Sequence, residues 1–135
     1  MGKKPQDNTV SSHVSGFLNY ITYCAEQYNL SHQEMMEQEN LTQDYLHKLE
    51  LETLTSSERS KIARQLGLCR KKRRQAKDTF EATSPLVDWS CDPEVVKAIR
   101  KLQETLGQIR KIERHQQNRM YVPKVLKETI IKGDD

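Results

Sequence analysis

The sequence holds 5 glycines and 4 prolines among 135 residues, too few for a turn-rich β-sandwich or a glycine-looped α/β nucleotide fold. No run approaches the roughly 18 apolar residues that a membrane-spanning helix needs, so no membrane partner is expected. The first residues, Met1-Gly2-Lys3-Lys4-Pro5-Gln6-Asp7-Asn8, are polar and lack the apolar stretch of a secretory signal. Cysteine is limited to Cys24, Cys69 and Cys91, an odd and widely spaced set, which reads as reduced thiols in a cytoplasmic protein.

Catalytic and metal-binding patterns are also missing. His13, His32, His47 and His115 are dispersed, and none has the spacing to a second His or a Cys that a zinc site requires, so no metal is expected. There is no glycine-rich phosphate loop, and no cofactor is expected. Cys69 precedes Arg70-Lys71-Lys72-Arg73, a setting that favours a thiolate, yet it falls on an apolar seam between Leu66 and Ala76 and reads as a small packed residue. The carboxylates Glu34, Glu37 and Glu39 sit on a polar helix face, where solvation accounts for them. The sequence thus points away from an enzyme.

What the chain does contain is Gln, Glu, Lys, Arg and Leu in helical periodicity, with 35% hydrophobic residues and a mean hydropathy of -0.86. Val10, Val14, Phe17, Ile21, Cys24 and Tyr28, then Met35, Thr42, Tyr45 and Leu49, form a seam in steps of three and four with gaps at Ser31 and Gln38. The first helix is therefore predicted over residues 10–52, about 65 Å if unbroken. Ser31-His32-Gln33-Glu34 has the form of a capping box and marks residues 29–31 as a place for a break. Thr55 or Ser57 is the expected N-cap of a second helix over residues 57–84, with Glu58 placed to complete a capping box with Thr55, and the seam is Ile62, Leu66, Cys69, Arg73, Ala76, Phe80 and Thr83. Pro85 predicts its end, with residues 86–91 as an apolar linker. Asp92-Pro93 opens a third helix over residues 92–119, carrying Val95, Ile99, Leu102, Leu106, Ile109 and Ile112 or Glu113. The expected fold is all-α: a single helical domain over residues 1–135, built as an elongated antiparallel hairpin with a third packed helix, a coiled-coil-like three-helix bundle. Residues 1–9 are expected to be disordered and residues 120–135 an extended tail.

The net charge of +3 conceals opposite halves. Residues 1–58 hold 3 Lys against 9 Asp or Glu, a balance of -6, and residues 59–135 hold 19 Lys or Arg against 10, a balance of +9. Residues 59–77 contain nine cations and no acid. The hairpin sets residues 35–39 opposite residues 70–73, so Arg73, on the seam, needs a carboxylate such as Glu34 or Glu39. The remaining cations are candidates for phosphate or acidic side chains: Arg64, Arg70, Lys71, Lys72, Arg73, Arg74 and Lys77, extended by Arg110, Lys111 and Arg114 on the third helix. Phe80 is the only aromatic residue near the run, so stacking on single-stranded bases is disfavoured and backbone contact is the surviving mode.

The segments Glu58-Arg59-Ser60-Lys61-Ile62-Ala63, Cys69-Arg70-Lys71-Lys72-Arg73-Arg74-Gln75-Ala76-Lys77-Asp78, Leu106-Gly107-Gln108-Ile109-Arg110-Lys111 and Arg119-Met120-Tyr121-Val122-Pro123-Lys124-Val125-Leu126 resemble small helical proteins of Firmicutes phages and integrative elements. The resemblance covers residues 41–126. It implies a mobile-element protein in the cytoplasm of a bacterial host. In that setting such proteins include anti-CRISPR inhibitors that occupy a nucleic-acid or guide-RNA surface of an effector such as Cas9. The expected partner is accordingly a host protein or ribonucleoprotein complex. A phage accessory protein binding nucleic acid directly and a homodimeric coiled-coil scaffold are the alternatives.

Overall fold

The computed structural model describes residues 8–120 and residue 125. About 90% of these residues are helical, and no strand is present among them. The helices are α1 (Val10–Leu51), α2 (Ser56–Ser90) and α3 (Pro93–Gln117). The all-α class and the bundle architecture are as expected. The tail predicted over residues 120–135 falls outside the described residues except for the exposed Met120 and Val125. At the other end residues 1–7 also fall outside them, whereas Thr9, expected to be disordered, is the N-cap of α1 and accepts from the Ser12 N–H at 3.1 Å.

α1 and α2 are joined by residues 52–55 and pack antiparallel along most of their lengths. Two contacts fix their register. Arg73 Nε meets Glu39 Oε2 at 2.9 Å, and the Tyr28 and Phe80 rings stack at 4.5 Å, with His32 tilted against Phe80 at 5.5 Å. The seam between the helices buries Cys24, Ser31, Gln38 and Thr42 from α1 against Ile62, Cys69 and Ala76 from α2. The two gaps in the apolar pattern, Ser31 and Gln38, are thus full members of the seam. Thr42 and Ser31 satisfy their hydroxyls within α1 by donating to the Gln38 and Tyr28 carbonyls at 2.8 and 3.0 Å.

Those bonds explain why α1 does not break at residues 29–31. As a cap, the Ser31 hydroxyl would accept from an N–H at the start of a new helix; instead it donates backwards to its own helix, and its small side chain lets Ala76 approach. A break would expose the seam, so tertiary packing overrides the local capping signal.

At the N-terminal end the seam rotates. Val10 and Phe17, expected inside, are 60% and 47% exposed, whereas Ser11, Ser15 and Leu18 are half-buried. The cause is α3, which packs on α1 and scarcely touches α2. It buries Leu106 and half-buries Ile99, Leu102, Ile109 and Glu113. Glu113 Oε2 accepts from the Ser11 N–H at 3.2 Å, filling a donor left open in the first turn of α1. Glu113 rather than Ile112 therefore belongs to the contact face.

The capping predictions at α2 and α3 hold. Thr55 accepts from the Glu58 N–H at 3.1 Å and donates its hydroxyl to Glu58 Oε1 at 3.0 Å; Asp92 accepts from the Glu94 N–H at 2.9 Å. The predicted end of α2 at residue 84 does not. The helix runs through Pro85 to Ser90, so residues 86–90 are helical rather than a linker. Pro85 is exposed, and the half-buried face continues past it through Leu86, Val87 and Ser90, so burial beyond it outweighs the hydrogen bond that proline removes. Replacing Pro85 by Ala restores the N–H that the Glu81 carbonyl lacks and is expected to stabilise the fold by about 1–3 kcal/mol. Urea unfolding should show a higher midpoint at unchanged slope; an unaltered midpoint would contradict this account of α2.

Candidate cationic binding face

The basic run of α2 divides over two sides of the hairpin. At 100° per residue, Lys77, Arg70, Arg74, Lys71 and Arg64 fall within an arc of about 140° that starts beside Glu39 at Arg70 and turns away from it to Arg64, which shares a surface pocket with Tyr45, Gln65 and Leu68. Arg64, Arg70, Lys71 and Arg74 are exposed, and the Lys77 side chain is 37% exposed. The arc extends about 20 Å along the axis from Arg64 to Lys77, comparable to about six phosphates of one strand. Asp78 and Glu81 close it at the C-terminal end, where Glu81 lies 3.9 Å from Lys77.

Arg73 is the inward member. Its side chain is 26% exposed and its Nε makes the short pair with Glu39, as the seam position demanded. Glu34, the other carboxylate considered for it, instead accepts from Gln38 Nε2 at 3.0 Å. Arg70 is a distant second cation on Glu39 at 3.8 Å. One carboxylate thus serves two of the run's arginines, and the acidic character of α1 cancels only a small part of it.

Lys72 lies on the other flank. There it lines an open groove of about 520 Å³ with Gln27, Leu30, Glu34, Glu37 and Thr79. Arg110, Lys111 and Arg114 are exposed on α3 but do not extend the α2 arc. Their neighbour Glu113 is anchored at Ser11, 28 residues or about 42 Å along α1 from Glu39. The structure therefore groups Arg70, Arg74 and Lys77 beside Glu39 with Arg73 behind them, leaves Lys71 and Arg64 at the outer edge of the arc, and separates Lys72 and the three α3 cations.

The groove flank carries features that the seam pattern did not reveal. Tyr20, Tyr23 and Leu30 on α1 are each more than half exposed, and the Tyr20 and Tyr23 rings lie 6.1 Å apart. The neighbouring Cys24 thiol holds the Tyr20 phenol above the usual tyrosine value. The signal was present in the sequence as a second stripe beside the seam, at Tyr20, Tyr23, Gln27 and Leu30.

Cys69 is buried at 3% exposure, consistent with packing rather than reactivity. Among the described residues no group of three or more His, Cys, Asp or Glu side chains is arranged to hold a metal ion, and no helix is long and apolar enough to cross a membrane. No family model, no curated protein and no solved structure matches the chain.

The Arg73–Glu39 pair is partly open to water, so its worth is small. Glu39→Gln should cost at most about 1 kcal/mol, an effect that shrinks as salt is raised, while Arg70→Ala should leave stability within error. Paired urea titrations at low and high ionic strength test this; a salt-independent loss from Glu39→Gln would mean the pair is a buried one.

Proposed function

We propose that this protein is a non-enzymatic helical binder that lays the cationic side of α2 on the phosphate backbone of a host nucleic-acid machine and so inhibits or modulates it. A ribonucleoprotein such as a CRISPR effector is the machine that the sequence resemblance suggests. The observation carrying this reading is the arc of Arg64, Arg70, Lys71, Arg74 and Lys77, five cations on one rigid side of a helix with two carboxylates drawn against them. Guanidinium groups suit phosphate because they donate two parallel charge-assisted bonds, and three of the five are arginines. Aromatic rings are absent from this arc, which favours backbone contact over base reading.

The same arc supports direct binding of free nucleic acid as a second reading, and salt and nuclease separate the two. Five phosphate contacts give a slope of roughly -4.5 in log affinity against log salt on duplex. The Arg70→Glu, Arg74→Glu, Lys77→Glu triple variant should keep its helical spectrum and lose capture of the partner by at least about tenfold. Affinity purification from host lysate, with and without nuclease, is the deciding experiment. A stoichiometric partner lost in the triple variant and kept after nuclease supports the machine reading. Capture that nuclease abolishes, with a gel shift on free nucleic acid, supports the second. A triple variant that captures as well as the wild type overturns both.

A further inference from the structure

Few side chains of this protein are withdrawn from water. Among the described residues Cys24, Ile62, Cys69, Ala76 and Leu106 are the buried apolar ones, and no side chain is fully buried. The flank opposite the Arg70–Glu39 contact, by contrast, presents a row of large apolar side chains. Tyr20, Tyr23, Leu30 and Leu41 on α1 are 57%, 53%, 56% and 38% exposed, and Leu68 and Trp89 on α2 are 49% and 45% exposed. They keep heptad order: on α1 they alternate in the two positions next to the seam, and on α2 residues 68, 75, 82 and 89 are Leu, Gln, Ala and Trp. At roughly 100 Å² of exposed surface each, the six offer about 600 Å². A standard interface takes about 800 Å² from each partner, about 60% of it apolar, so this row suffices for one.

The charges within the row say what covers it. Glu34 and Glu37 of α1 and Lys72 of α2 line the groove between its two apolar ends. Lys72 makes no ion pair among the described residues, and neither does Glu37. The flank is therefore acidic along one edge, basic along the other and aromatic on both. The register set by Tyr28 against Phe80 and Glu39 against Arg73 puts Tyr20 at the height of Trp89 and Leu41 at the height of Leu68. Such a surface is complementary to itself.

We propose that this flank is the interface of a two-fold symmetric homodimer whose axis runs along the hairpin. That axis lays α1 of each copy over α2 of the other at unchanged height. Glu34 and Glu37 then face the partner's Lys72, Tyr20 faces the partner's Trp89 and Leu41 faces the partner's Leu68. The alternative axis, across the hairpin, would set acidic α1 on acidic α1 and basic α2 on basic α2, which like-charge repulsion disfavours. Arg70, Arg74 and Lys77 lie on the Glu39 side, away from this flank, so dimerisation leaves them open in both copies, while Arg64, which shares a surface pocket with Leu68, lies at the edge of the interface.

Sedimentation equilibrium of the full chain should give twice the monomer mass at micromolar concentration. Leu30→Lys combined with Trp89→Lys alters exposed positions only and should yield a monomer with the same helical spectrum, weakening association by at least about tenfold. The charge arrangement has its own test. A Glu34→Lys, Glu37→Lys variant and a Lys72→Glu variant should each be monomeric, and an equimolar mixture should reassociate as a one-to-one heterodimer, because both contacts across the axis then join opposite charges. An effect confined to one chain would not be repaired by mixing. A monomeric wild type, single-charge variants that remain dimers, or a mixture that stays monomeric would each overturn the proposal.

Discussion

Everything in this molecule depends on a narrow strip of contact between two long helices. The strip carries small or polar side chains at most of its buried positions: Cys24, Ser31, Gln38 and Thr42 on one side, Ile62, Cys69 and Ala76 on the other. Small residues let the helices approach closely but release little apolar surface from water. Register therefore rests on contacts with direction, the Arg73–Glu39 pair and the Tyr28–Phe80–His32 ring cluster. The ring contacts contribute roughly 0.5–1.5 kcal/mol each beyond area burial, and the ion pair less. Gln38 shows how lean the strip is: its Oε1 is buried without a hydrogen-bond partner, while its amide donates to Glu34. An unpaired buried oxygen in the middle of the strip is a cost that the native register itself carries.

The sequence is most informative where one physical signal acts alone. The caps at Thr55 and Asp92 are short-range side-chain-to-backbone bonds, and both form where the residue types predict them. The seam from Cys24 to Leu49 and from Ile62 to Thr83 is equally legible, because a heptad repeat on both helices has a single antiparallel solution once the connection is short. The carboxylate under Arg73 follows from the same register. What escapes the sequence lies where two signals compete. Ser31 offers a cap and also a small seam residue, and packing decides in favour of the seam. Pro85 removes a hydrogen bond, yet Val87 and Ser90 gain burial beyond it. Phe17 fits the stripe by spacing, but α3 approaches from the neighbouring side and turns α1 so that Leu18 is covered instead.

The candidate site illustrates a second limit. A count of nine cations in residues 59–77 carries no angle, and it is the angle that decides which of them act together. Helical geometry alone would have set Lys72 apart from Arg70 and Arg74, since each lies two residues from it and so about 160° away around the axis. Distance along the chain likewise misleads for Arg110, Lys111 and Arg114. They appear to continue the basic half of the sequence, but Glu113 ties their helix to the first turn of α1, remote from Glu39. Only three-dimensional placement of α3 resolves this, and the residue responsible is a glutamate filling an open backbone donor.

The division of charge between the halves then acquires a structural meaning. If the balance of -6 on residues 1–58 served only to neutralise the +9 that follows, carboxylates would be spread along the α1 side of the contact. Instead, on the flank next to Arg70 the α1 position repeats as Ser11, Leu18, Ala25, His32, Glu39 and Leu46, with a single acid. Glu34 and Glu37 lie on the other flank, beside exposed tyrosines and leucines. The hairpin therefore separates its charges by side: one flank is left cationic and poor in rings, the other mixed in sign and rich in apolar surface. A flank whose exposed charge is mostly cationic is suited to phosphate, which demands charge and little shape, while a flank of mixed sign and large apolar side chains is suited to a protein surface, where complementarity of both kinds sets specificity. Because both flanks are built on the same two helices, whatever secures the lean seam between those helices holds the geometry of both at once.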